Sequence, residues 1–577
     1  MNQAPRNGLQ TAAAALVVAG ALALLAALLL PHPYAPAFHP TNESLRLYQA
    51  ATLEAGQGAD VAPVFDLVAP QWRERGTPPN IDVAVRDDRW LLDKAPGITL
   101  LTIPVLRSLR IAGLQVEHNA LLRWLALLLC AIPSILAALA LARATADPEH
   151  TPLGTLPLAV LTLLATPWAL YATRLFGHAA ATAFLVLGTV LLLGRGPRQH
   201  HARDEAPTPT DGRPRTDALR EIGRGLGAGL LVGLATLVET PVALAAILLT
   251  LIAALTPSLR RRAIGLVLGG ALCAVALAAW NHTLFGSSLT FGYAFKWHTG
   301  HLAIHEAGAF GFRWPSTEAL AGLFVSPHRG VLHLAPWIAL GLVGVVVAAF
   351  DRRLPGPWRV VLPAMGIGYA LWIAGFVDWE AGWSAGSRHL LPALPFLAAG
   401  AWRLPDVLDR SAPAAGVIAR SALVGAALGA AVLVLSVSAT TIYYPEDVAY
   451  PIARLSARAW ALVGPYPILG VEGAAAGLVL RGLVGIGVLG MAGGITLGML
   501  QRFGDRLAAT ALLVLMLAGG AAGAWSNHAW RSTGPAAPLS AEEVRAIRAG
   551  MELRLEERGP RERTLELPLP NPGPLAP

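Results

Sequence analysis

Residues 260–282 read RRRAIGLVLGGALCAVALAAWNH. Three arginines end at Ala263, and from Ala263 to Trp280 no residue carries a charge. As a helix rising 1.5 Å per residue, such a run covers about 27 Å, close to the roughly 30 Å hydrocarbon core of a bilayer. The stretch therefore predicts a membrane span with a cationic start and a polar exit. Similar apolar runs lie at about 11–30, 119–143, 154–171, 178–194, 225–238, 241–256, 263–280, 329–350, 358–376, 390–402, 416–441, 473–499 and 507–525. They predict an all-α polytopic membrane protein with about thirteen transmembrane helices. The runs within 225–256 and at 390–402 are short, and short spans are often re-entrant or buried by neighbours. The first run is long, is followed by no convincing small-x-small cleavage site, and reads as a retained signal anchor.

Composition agrees. Of the 577 residues 54% are hydrophobic and 14% charged, against about 25% charge in soluble chains. Fifty-nine glycines suit close helix packing in lipid. The net charge of +8 would suggest nucleic acid in a soluble protein. Here the arginines sit in short loops between apolar runs, so topology explains them and nucleic acid is not the expected partner. Cys130 and Cys273 both lie inside apolar runs, which excludes a disulfide framework and a cysteine metal site.

With Arg6 and the N-terminus in the cytoplasm, the alternate loops put every arginine cluster of a short loop on one side. These are Arg143, the seven arginines of 195–224, Arg260 to Arg262, Arg352 with Arg353, Arg403 with Arg410, and Arg502 with Arg506. Outside fall four longer segments: 31–118, 281–328, 442–472 and the C-terminal tail from 526. The chain thus divides into a transmembrane core over 1–442, a loop and last helices over 443–528, and a charged, proline-rich extracytoplasmic tail over 529–577. Residues 198–220 read as a linker inside, and Ser540 with Glu543 have capping-box spacing for a short helix in the tail.

The outer loops carry the chemistry. The first holds Asn42-Glu43-Ser44-Leu45-Arg46, then Asp66, Asp82, Asp87 and Asp88, and ends Asp93-Lys94-Ala95-Pro96-Gly97. Acids beside a membrane can act as general bases, and a lysine can hold a phosphate as a point charge; a lone aspartate there can equally be a solvated loop charge. Glu239-Thr240-Pro241 puts an acid at membrane depth, as a functional group or as an acid flanking a helix start. The second loop holds Tyr293, His298, His301, His305 and Glu306, of which His301, His305 and Glu306 could ligate a divalent metal. Asp378-Trp379-Glu380-Ala381-Gly382-Trp383 leads to Arg388-His389. That patch suits sugar stacking with phosphate contact, although tryptophans are also expected as interfacial anchors. No phosphate-binding glycine loop, nucleophile elbow or metalloprotease helix motif is present.

These landmarks resemble the GT-C superfamily of integral-membrane glycosyltransferases, in the branch of protein O-mannosyltransferases and aminoarabinose lipid A transferases. Asn42-Glu43 with Arg46 resembles its acidic pair after the first span, and Asp93-Lys94-Ala95-Pro96-Gly97 its lysine-proline motif. Arg388-His389-Leu390-Leu391-Pro392 resembles its Arg-Tyr-Leu-Leu-Pro motif. The likeness runs over about 10–440. It also extends to a bacterial branch through Glu239-Thr240-Pro241 and Asp378-Trp379. The resemblance implies a GT-C-like bundle in a bacterial inner membrane and a polyprenyl-phosphate-linked sugar entering from the bilayer. It implies a lipid, glycan or protein acceptor on the extracytoplasmic side. Lys94, Arg388 and Arg46 would hold the donor phosphate, and Glu43 would deprotonate the acceptor. Asn42, Asp93, Glu239, Tyr293, Asp378, Trp379, Glu380, Trp383 and His389 would line the pocket. One departure stands out: Asn42 occupies the place of the family's first acid. Either Glu43 serves, or Asp66 or Asp88 does, or the chemistry is lost. The competing readings are a non-catalytic lipid-glycan binding protein, and a transporter with mid-span charges and an inverted repeat.

Overall fold

The computed structural model describes residues 4–34, 42–68, 78, 82–146, 155–194, 214–297, 311–326, 328–445, 451–503 and 510–520. His298, His301, His305, Glu306, Ser540, Glu543, residues 198–213 and the tail 529–577 lie outside them. Every expected apolar run holds helix. Six helices are long and apolar enough to cross a membrane: Gly8–Leu29, His118–Thr145, Asp217–Val238, Pro257–Phe285, Pro413–Ser438 and Gly473–Leu500. Shorter apolar helices cover Gly177–Leu193, Thr240–Leu255, Ile338–Phe350 and Thr510–Gly520. The chain is a polytopic helical membrane protein. Thirteen uninterrupted spans are not what it forms, because proline punctuates several runs. The run 154–171 breaks at Pro167 into Leu156–Leu164 and Trp168–Ala172. The run 358–376 passes through a π-helical turn, Ala364–Gly368, directly after Pro363.

Glycine brings the helices together. Gly225 and Gly229 on Pro214–Val238 face Gly265 and Gly269 on Arg260–Phe285. A Cβ on any of the four would fall within contact distance of the other helix's backbone. Small residues four apart on both partners are how helices pack where lipid supplies no hydrophobic drive.

Contacts also sort the helix ends. At one end Asp351 pairs with Arg403 and Arg410, and Asp406 with Arg403 and Arg420. There too Trp358 donates to Gly194 O at 3.1 Å. These are the ends that the positive-inside rule groups together. The opposite end gathers the first and second outer loops.

One element departs from the all-α expectation. Val83–Arg86 and Arg89–Leu92 form an antiparallel hairpin with Val83 opposite Leu92. Its turn residues Asp87 and Asp88 have φ of 50° and 60°, the left-handed pair of a tight hairpin turn that aspartate tolerates. The hairpin sets Asp82 and Asp93 side by side at its open end, with Asp93 N donating to Asp82 O at 3.1 Å. Beneath it, Leu45, Tyr48, Val61, Phe65 and Trp90 form an apolar cluster that fixes the helix Asn42–Glu54.

Candidate functional site

The helix Asn42–Glu54 turns an unusual number of polar side chains inward: Asn42, Glu43, Ser44, Arg46 and Gln49 are all buried. Buried polar groups persist only when they are bonded, and most of the bonds here tie the helix to another element.

Glu43 is fully buried. Tyr34 donates its hydroxyl to Oε1 and Tyr443 its hydroxyl to Oε2, each at 2.5 Å. Leu175 N adds a third donor to Oε1 at 3.2 Å. Burial, reinforced by the Glu43 charge, pushes both phenols well above their ordinary value, so both hydroxyls keep the proton they donate. Arg174, 1% exposed, is the nearby cation that offsets the Glu43 charge on both tyrosines. Glu43 is thus enclosed by donors. Three donors converge on the carboxylate that the sequence reads as the candidate base.

Arg46, also buried, gives Nε to Asn42 Oδ1 at 2.6 Å, Nη1 to Ala95 O at 3.3 Å and Nη2 to Glu239 Oε1 at 3.4 Å. It works as a tie between the first loop and Glu239, with three of its five donors engaged. Asn42 turns its amide to Asp82 at 3.3 Å.

The open end of the hairpin carries the charged centre. Lys94 lies 2.8 Å from Asp82 and 3.4 Å from Asp93, and Lys296 lies 2.9 Å from Asp93. Both ammoniums stand over the Tyr293 ring, at 5.5 and 5.7 Å from its centroid. Burial pushes the Asp82 carboxyl up, but Lys94 and Lys296 outweigh it and hold the group well below the usual carboxylate range. Burial likewise pulls Lys94 down, and Asp82 and Asp93 outweigh it and raise the ammonium well above its ordinary value. Lys94 and Lys296 are the only lysines among the chain's 44 lysines and arginines, and they meet at one aspartate.

Arg388 reaches the same region at the start of the short helix Arg388–Ala393. Its guanidinium lies 5.3 Å from the centroid of Phe176 and contributes to the field at Asp82. Its Nε is buried without a hydrogen-bond partner, and no carboxylate of the described residues pairs with it. Next to it His389 Nδ1 lies 3.2 Å from His178 Nε2, and His178 Nδ1 lies 3.1 Å from Glu239 Oε1. Glu239, His178 and His389 therefore lie in a row, with His178 hydrogen-bonded to His389 and its Nδ1 at ion-pair distance from Glu239 but off hydrogen-bond geometry. Gly177 makes room for it, since a Cβ there would collide with Glu239 Oε1.

The remaining expected residues divide. Trp379 packs against Gly322. Trp383 lies against the core. The backbone from Glu380 to Ser384 wraps the buried Arg329, which donates to Glu380 O, Gly382 O and Ser384 Oγ. Asp378 is half-buried and Glu380 exposed on that loop, and among the described residues neither side chain pairs with the charged centre. Asp66 and Asp88 are exposed. Asp88 sits at the hairpin tip, four strand residues (about 13 Å) from Asp82 and Asp93. Among the described residues no group of three His, Cys, Asp or Glu side chains is arranged to hold a metal.

Sequence reasoning missed Lys296, His178, Arg174, Tyr34 and Tyr443. Lys296 alone had a signal, as the second of two lysines in an arginine-rich chain.

No family model matches the sequence, and no curated protein matches it. Among solved structures the chain is similar to ArnT from Cupriavidus metallidurans bound to undecaprenyl phosphate. The identity is 13%, over 93% of this chain and 84% of that one, with a TM-score of 0.43. It is also similar to the Archaeoglobus fulgidus oligosaccharyltransferase in the apo form, at 14% identity over 75% of this chain and 57% of that one, with a TM-score of 0.43. Both are GT-C glycosyltransferases. Likeness this distant assigns no role to any side chain, and the proposal below rests on the side chains themselves.

Proposed function

We propose that this chain is a membrane glycosyltransferase that moves a sugar from a polyprenyl-phosphate donor to an acceptor on the extracytoplasmic side. One observation carries the proposal: among the described residues Arg388 is a cation without a carboxylate partner, beside a centre where Arg46, Lys94 and Lys296 pair with Asp82, Asp93 and Glu239. An unpaired guanidinium at membrane depth is costly unless an anion completes it, and a phosphate accepts its planar fork of donors.

In transfer, the bond from the sugar's anomeric carbon to the phosphate oxygen breaks as the acceptor oxygen attacks that carbon. The electron pair leaves on the phosphate, where Arg388, supported by Lys94 and Lys296, stabilises it. The acceptor's proton goes to His389 Nε2. With Glu239 beside His178 Nδ1, the two imidazoles can share the charge that the proton brings, as a histidine beside an acid does. Glu43, locked by two tyrosines, positions Tyr34, Leu175 and Tyr443, and Arg46 holds Glu239 in register. Asn42 serves as a link between Arg46 and Asp82, so its standing in place of an acid leaves the proton acceptor intact.

The test uses the full chain in liposomes, offered a panel of hexosyl and pentosyl undecaprenyl phosphates. The expected result is acceptor-dependent release of undecaprenyl phosphate from one of them, with His389→Gln slowing release by about 100-fold or more while donor binding persists. Donor binding with no release from any member of the panel would favour the non-catalytic lipid-glycan binding reading.

A further inference from the structure

At the same end as Tyr443, a second feature lies outside the charged centre. The helices Pro413–Ser438 and Gly473–Phe503, with the segment around Trp460, enclose a groove of about 520 Å³. That lies within the roughly 300–1,000 Å³ of a small-molecule site. Its walls are apolar (Val437, Leu480 and Val488 among them), and its polar rim is Ser436, Ser456 and Arg481. None of these residues belongs to the cluster around Lys94 and Arg388.

Arg481 is the unexpected member. Gly473–Phe503 has 31 residues, so it is about 46 Å long and crosses a bilayer with its headgroups. Arg481 follows Gly473 by eight residues, or about 12 Å along the axis. It is a cation below the end of a span, on the side where the positive-inside rule disfavours one. Its guanidinium lies 5.6 Å from the centroid of the Trp460 ring, and among the described residues it has no hydrogen bond and no carboxylate. An arginine snorkelling from that depth brings its head to the phosphate level of the surrounding lipid, while the groove below it is lined for hydrocarbon.

We infer that this groove is a binding site for an anionic glycerophospholipid, its phosphate on Arg481 and one acyl chain along Val437, Val484 and Val488. The site is independent of the transfer reaction. Charge complementarity at the rim selects an anionic headgroup, and the apolar wall selects a chain over a free phosphate.

The test is native mass spectrometry of the full chain in neutral detergent, titrated with phosphatidylglycerol, phosphatidylcholine or undecaprenyl phosphate. The expected result is one tight phosphatidylglycerol adduct that weakens at least tenfold in Arg481→Leu, with weaker phosphatidylcholine binding in both forms. Among the described residues Arg481 has no carboxylate to strand, so the variant should keep the wild-type unfolding midpoint. Trp460→Leu supplies a second variant and should weaken the same adduct. Equal phosphatidylglycerol binding by wild type and Arg481→Leu would overturn the inference, leaving Arg481 as a snorkelling anchor. So would equal binding of the two phospholipids. Loss of undecaprenyl phosphate binding in Arg481→Leu would also overturn it, because the groove would then belong to the donor; if Arg388→Gln lost that binding instead, the groove would remain separate.

Discussion

Replacing Tyr34 and Tyr443 by phenylalanine, singly and together, tests whether Glu43 is a locked structural carboxylate. Each tyrosine donates at 2.5 Å to a different oxygen of one fully buried carboxylate. A hydrogen bond to a charged group contributes about 1.5–3 kcal/mol, and Tyr→Phe removes the donor while keeping the ring. Each single variant should therefore lose about 1.5–3 kcal/mol in an SDS unfolding titration from mixed micelles. Because both bonds end on one carboxylate, the double variant should depart from the sum of the singles by more than about 0.5 kcal/mol. Glu43→Gln should likewise lower stability, while the purified variant still releases donor phosphate at a measurable rate. Additive effects within about 0.3 kcal/mol, or losses below about 0.5 kcal/mol for each single, would refute the locked-carboxylate account. So would a Glu43→Gln variant of full stability and no turnover, which would return the proton-acceptor role to Glu43.

Gly177→Ala places a methyl group against Glu239 Oε1 and should slow turnover while leaving donor affinity close to wild type, as kcat and Kd measured side by side would show. Gly229→Leu should destabilise by about 1–3 kcal/mol through overpacking against Leu266, read in the same unfolding titration. The Asp82–Lys94 pair predicts two pH limits. The Asp82 carboxyl is lowered from 3.8, so its contribution is complete above that value and is lost as pH falls below it. The Lys94 ammonium is raised from 10.5, so its contribution is complete below that value and is lost as pH rises past it. Unfolding midpoints recorded across pH should stay level between these limits, and Asp82→Asn should reduce the fall on the acid side.

The membrane fold was legible because hydrophobicity and arginine placement are linear signals. A run such as 263–280 declares itself, and the grouping of Gly194, Asp351 and Arg403 at one end is the grouping that loop charge implied. Span continuity was less legible. Pro167 and Pro363 interrupt apolar runs without changing their composition, so hydropathy alone counts them as whole. The hairpin was missed because four-residue strands flanking Asp87-Asp88 carry too little alternation to stand out from a polar loop. Within the site, sequence motifs located Glu43, Lys94, Glu239 and Arg388 but not the side chains that surround them. Whether a carboxylate is open or enclosed depends on Tyr34, Leu175 and Tyr443, which approach from three separate parts of the chain. His178 sits on an apolar helix, where nothing local distinguishes it from a packed histidine until Glu239 and His389 arrive on either side.

The central claim is that Arg388 completes a lipid-phosphate site, and the most direct measurement is the affinity of undecaprenyl phosphate for wild type and Arg388→Gln. Among the described residues Arg388 has no carboxylate to strand, so the variant should fold with an unchanged unfolding midpoint. Losing a charge-assisted contact of about 1.5–3 kcal/mol should weaken binding by about 10- to 150-fold. Equal affinity in the two proteins would contradict the account and leave the charged centre without the ligand assigned to it.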